Sequence, residues 1–98
     1  MSPSVRRVRL PREVHVAIRI MHPQLKQRIR AGLDTLRVNP SAGKPLRREL
    51  SGWWSFRVGR VRIIYRATRT ILEVSAIGSR ASIYKDTTRR LARASRQR

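Results

Sequence analysis

The 98-residue sequence predicts a small, single-domain α+β protein. Three observations carry that reading. Leu25, Ile29, Leu33 and Leu36 recur at helical spacing behind Pro23. Three later runs, 54–58, 61–67 and 71–77, are rich in β-branched and aromatic residues and are joined only by Gly59-Arg60 and Thr68-Arg69. Between the two halves lies Asn39-Pro40-Ser41-Ala42-Gly43-Lys44-Pro45, a loop dense in helix and strand breakers.

From the N-terminus, Val8 and Leu10 alternate with arginines in a short strand pattern that Pro11 ends. Residues 11–21 are ambiguous. Val14, Ala17, Ile18 and Met21 follow helical spacing, while Val14, Val16, Ile18 and Ile20 alternate like a strand, so periodicity alone leaves both open. Over 23–38 a helix is predicted, with Lys26, Arg30, Asp34 and Arg37 off the apolar stripe.

The three strand runs form an antiparallel meander. A two-residue turn at Gly59-Arg60 sets Val58 opposite Val61, Arg57 opposite Arg62 and Phe56 opposite Ile63. Trp54, Phe56, Val58, Val61, Ile63 and Tyr65 then share a core face, and a turn at Thr68-Arg69 adds Leu72, Val74 and Ala76 to it. The other face collects Trp53, Ser55, Arg57, Arg62, Ile64, Arg66, Glu73 and Ser75, with Arg62 across from Ser75. Two arginines opposed in this way repel unless an anion lies between them, so the face is either a phosphate-binding groove or a solvated surface on which Glu73 neutralises its neighbours. Beyond Tyr84 the pattern dissolves, and residues 85–98 are expected as a basic tail or short helix after a domain spanning 1–84.

Charge names the partner class. Lys and Arg number 24 against 5 Asp and Glu, a net charge of +19, and a polyanion is the expected partner. Lys26, Lys44 and Lys85 are the only lysines, so arginine, whose planar fork suits phosphate, supplies 21 of the cations. With 40% hydrophobic residues the chain can still bury a core, unlike a disordered basic tail. The lack of cysteine excludes disulfides, thiolate metal sites and cysteine nucleophiles. No metal or cofactor is expected, because two histidines alone do not build a zinc site. No apolar run approaches the roughly 18 residues of a membrane span, and a cytoplasmic protein without membrane contact is expected.

Several segments together resemble the RelE/ParE superfamily of toxins from type II toxin–antitoxin pairs, with a RelE-like character. They are Leu36-Arg37-Val38-Asn39-Pro40, Gly43-Lys44-Pro45-Leu46, Leu50-Ser51-Gly52-Trp53-Trp54-Ser55-Phe56-Arg57-Val58-Gly59, Arg62-Ile63-Ile64-Tyr65-Arg66, and Ala76-Ile77-Gly78-Ser79-Arg80 running on to Ile83-Tyr84. The resemblance spans about Val5 to Tyr84. It implies a twisted antiparallel sheet, made of an N-terminal edge strand and the three-strand meander, covered on one face by an N-terminal helical hairpin that makes residues 11–21 a helix. It also implies a cognate antitoxin. RelE-like members are compact ribonucleases that cut messenger RNA in the ribosomal A site, whereas ParE-like members poison DNA gyrase.

By position, Arg62, Arg80 and Tyr84 match the family's catalytic residues, although Ser79 stands where many relatives have histidine. Metal-independent RNA cleavage needs a proton removed from the 2′-hydroxyl, the phosphorane neutralised and the leaving 5′-oxygen protonated. Arg62 and Arg80 suit the charge. Tyr84, its pKa lowered from about 10 by neighbouring cations, suits the proton. His15 and His22 lie in the helical half, away from the strands. Lys44, Arg47, Arg48, Arg57, Arg60, Arg66 and Lys85 are expected to bind RNA, with Trp53 stacking on a base. A gyrase poison and a noncatalytic RNA- or ribosome-binding protein are the alternatives.

Overall fold

Residues 5–79, 83, 87–89 and 91 are described by the computed structural model. Their order is β1 (Arg7–Arg9), α1 (Arg12–Arg19), α2 (Pro23–Val38), β2 (Lys44–Pro45), β3 (Trp54–Val58), β4 (Val61–Ala67) and β5 (Ile71–Ser79), with short 3-10 turns at Pro40–Ala42 and Arg48–Leu50. Ile83, residues 87–89 and Leu91 are helical.

Both helices form where the sequence provides a first turn. Pro11 precedes α1 in extended conformation, with Glu13 in the first turn where it complements the helix dipole. At α2, His22 caps the helix, its Nδ1 accepting the Gln24 N–H at 3.2 Å, and Pro23 needs no partner at the first position. Burial resolves the ambiguity in 11–21. Val14 is buried and Ile18 and Met21 pack on the core, whereas Ile20, 82% exposed, lies outside it, so the helical spacing wins over the alternation.

The sheet has five strands in the order β1-β5-β4-β3-β2. It is antiparallel from β2 through β5, as expected of the meander, and the N-terminal strand joins it at the edge in parallel, with Val8 beside Leu72. The β3–β4 hairpin has the predicted register, Arg57 opposite Arg62. Gly59, with φ +60 at the first turn position, is the residue that a type II′ turn requires there.

The β4–β5 register departs from expectation. The turn falls one residue later, Tyr65 pairs with Val74, and a bulge shifts Ile64 to Ala76 and Arg62 to Gly78 rather than Ser75. The residue added by the bulge moves Ala76 to the far face and turns Ile77 toward the helices.

Two cores result. Ile29, Leu33 and Leu36 of α2 and Val14 of α1 cover Val58, Ile63, Tyr65, Leu72 and Val74. On the opposite face Trp53, Ile64, Ala76 and Ile83 form a second cluster, with Leu46 and Leu91 against it. Leu91 lies in the segment expected as a tail. The expected groove along the whole of that face is therefore corrected: its middle is packed core, and of its two ends the one bearing Arg57 and Arg62 stays open while Arg66 at the other is paired with Glu73.

Candidate nucleic-acid interface

The open end holds a row of residues across three strands: Arg57 on β3, Arg62 on β4 and Gly78 on β5. Gly78 adds no side chain beside Arg62. The Arg57 Nε donates to the Gly59 carbonyl at 3.0 Å, which leaves the terminal nitrogens of its exposed fork directed by the turn. β2 closes the other side by pairing Lys44 with Ser55, and a cleft of about 240 Å3 opens among Ala42, Gly43, Lys44, Ser55, Arg57 and Arg62. Three cations of one sign converge there with backbone of the loop, a donor set for a phosphate group.

One wall of this cleft is fastened by a residue the sequence reading placed only in the core. Tyr65 has a fully buried ring, and its hydroxyl donates to the Pro40 carbonyl at 2.6 Å and accepts the Gly43 N–H at 3.1 Å. A Cβ at Gly43 would meet the Tyr65 hydroxyl and, at 2.6 Å, the Ser55 carbonyl, so only glycine lets the loop approach β3. Burial raises the Tyr65 pKa above its ordinary 10.0, with the Gly43 N–H opposing that shift in part. The phenol is thus a neutral donor that ties residues 40–43 to the sheet. The available signal was the glycine beside Lys44-Pro45 in a chain with a strand tyrosine.

The remaining expected site residues separate into groups. Arg60 lies exposed in the turn next to the cleft. Arg66 is committed elsewhere: its Nε donates to Glu73 Oε1 at 2.6 Å, and its guanidinium lies 4.3 Å from the centre of the Trp53 ring. Trp53 itself, expected to stack on a base, is 8% exposed, covered by the second core and by Arg66. Its burial follows from the packing of Ile64, Ala76 and Ile83 on that face. Arg47 and Arg48 line a different cleft with Arg89. Arg80, Tyr84 and Lys85 lie outside the described residues.

Comparison with known proteins bears on the fold and the family. No curated protein gives a significant sequence match. In the crystal structure of the toxin–antitoxin complex RelBE2 from Mycobacterium tuberculosis, one chain superposes with a TM-score of 0.70 at 27% identity, covering 82% of this chain and 97% of that one. A family model described as the ParE toxin of the type II toxin–antitoxin system, parDE, matches residues 7–84. That span takes in both helices, all five strands and the basic cleft, and the chain belongs to this family of type II toxins, within the RelE/ParE superfamily.

Proposed function

We propose that this toxin is a ribosome-dependent, metal-independent messenger RNA endonuclease of the cytoplasm that halts translation, and that a cognate antitoxin restrains it. The observation that supports this most is Arg57 set directly opposite Arg62 beside Lys44, a constellation of cations around a cleft of about 240 Å3. In the proposed reaction the 2′-oxygen of the substrate attacks its own 3′-phosphorus as its proton leaves. The bond to the 5′-oxygen breaks, that oxygen takes up a proton, and a 2′,3′-cyclic phosphate and a 5′-hydroxyl result. Arg62 offsets the charge gained by the phosphorane, and Arg57 and Lys44 hold the flanking phosphates. Arg80 and Tyr84 enter by their position in the sequence just after β5, Arg80 as a second charge stabiliser and Tyr84 as the proton carrier.

A second reading, poisoning of DNA gyrase, is favoured by the ParE description of the matching family model. Primer extension on a translated message, run beside a gyrase supercoiling assay, separates the two. Codon-positioned cuts lost in Arg80→Ala and Tyr84→Phe support the ribonuclease. Toxin-dependent gyrase cleavage complexes without messenger cuts support the second reading, and ribosome binding with neither outcome supports a noncatalytic RNA-binding protein.

A further inference from the structure

We infer that the edge strand β1 carries a second binding site for the phosphodiester backbone of RNA, so that one molecule holds an RNA strand at two places on the same face of the sheet. Val8 turns toward the helices, where it packs on the first core. Strand alternation then leaves Arg7 and Arg9 together on the opposite face, the one that bears Arg57 and Arg62. Both arginines are exposed, and no hydrogen bond or ion pair among the described residues engages either guanidinium. A cleft of about 230 Å3 opens among Arg7, Val8, Arg9 and Ile71, close in volume to the one of about 240 Å3 beside Arg57 and Arg62. Glu73 is the acid in register with Arg9, and its carboxylate is taken up by Arg66 at 2.6 Å.

The geometry favours a phosphate strand. Alternate residues of a β-strand stand about 6.6 Å apart, so Arg7 and Arg9 each meet a different phosphate of one chain. With Val8 turned away, Ile71 is the one apolar side chain left at the cleft, too little surface to anchor a partner protein. The sheet register also separates this site from the first. Arg7 and Arg9 lie beside Ile71 and Glu73 of β5, whereas Arg62 lies beside Gly78 of the same strand. Since β4 is two strands from β1, the two sites are roughly 20–25 Å apart. The packed cluster of Trp53, Ile64, Ala76 and Ile83 occupies the face between them. A trinucleotide therefore reaches one site at a time, while a longer strand engages both and gains from the second contact being intramolecular. The identity of the ligand rests on the RNA reading above, but the presence of two sites does not depend on cleavage.

Nuclear magnetic resonance of the full chain titrated with a 5′-phosphorylated uridine trinucleotide tests this directly. Two separate groups of amides should shift, residues 7–9 with 71–73, and residues 43–44 with 55–62. The double variant Arg7→Gln, Arg9→Gln should lose the first group and keep the second. In fluorescence anisotropy at about 150 mM salt, where long-range attraction is screened, the same variant should bind a uridine dodecanucleotide about tenfold more weakly, the loss of one of two linked contacts. Arg12→Gln with Arg19→Gln, an equal change of charge at exposed positions of α1, should alter that affinity less than twofold. Shifts confined to residues 43–62 would overturn the second site and leave the RNA reading standing. Shifts confined to residues 7–9 and 71–73 would support the second site and remove the first cleft from RNA binding. Equal losses in the two double variants would overturn the proposal in favour of diffuse charge, and an oligoglutamate peptide that shifts the first group where the trinucleotide does not would overturn it in favour of an acidic protein.

Discussion

The Tyr65 hydroxyl accepts the backbone N–H of Gly43 at 3.1 Å, across 22 positions of sequence, and so fastens the loop before β2 to the middle of the sheet. Tyr65→Phe keeps the ring but strands the Gly43 N–H and the Pro40 carbonyl. A loss of about 1–3 kcal/mol in chemical denaturation is expected, the cost of leaving part-buried polar groups unpaired. Gly43→Ala should cost more, because its Cβ would press on the Tyr65 hydroxyl and on the Ser55 carbonyl at 2.6 Å. Unchanged stability in both variants would show that the loop is not held by this contact.

The raised pKa of Tyr65 gives that contact a pH signature. Below the unfolded value of 10.0 the phenol is protonated in both states and its contribution is complete. Above it the unfolded chain gives up the proton first, so the stabilisation declines as pH rises from 10.0 toward the folded pKa. Denaturation midpoints of the native chain and of Tyr65→Phe should therefore converge above that pH and run parallel below it.

Opposed arginines at the cleft predict a specific salt response. Each phosphate neutralised by a cation contributes about 0.7 to the slope of log affinity against log salt for single strands. Arg57→Ala should reduce the slope for an oligoribonucleotide by about one such contact, and Arg66→Ala, whose guanidinium is held by Glu73 and Trp53, should change it less. Equal changes would place Arg66 among the phosphate ligands.

Trp53 provides a test between stacking and packing. As a member of the second core it should tolerate Trp53→Phe with RNA affinity unchanged, whereas Trp53→Ala should cost about 3–5 kcal/mol of stability. Quenching of tryptophan fluorescence by bound RNA that disappears in Trp53→Phe would reinstate the stacking role.

Much of the fold and part of the site were already determined by local sequence. Pro23 and the Leu25-Ile29-Leu33-Leu36 stripe specify α2, because helix period and first-turn chemistry act within a few residues. Gly59-Arg60 specifies the hairpin, and a two-residue turn leaves one register, so the opposition of Arg57 and Arg62 was legible from turn length alone. The basic charge likewise needs no structure. Other features depend on what packs where. Residues 11–21 carry two periods at once, and it is the packing of Met21 on the core, with Val16 and Ile20 left exposed, that selects the helix. Ser75 reads as one more alternating residue, but fitting both Val74 to the helical side and Ala76 to Trp53 and Ile64 requires the bulge, which together with the later turn displaces Arg62 from Ser75 to Gly78. Trp53 became core rather than platform for the same reason: Ile83 and Leu91, far along the chain, cover it. The fastening of the cleft wall by Tyr65 is also non-local, since a buried hydroxyl takes whichever backbone groups the tertiary fold brings within reach, and here those belong to Pro40 and Gly43.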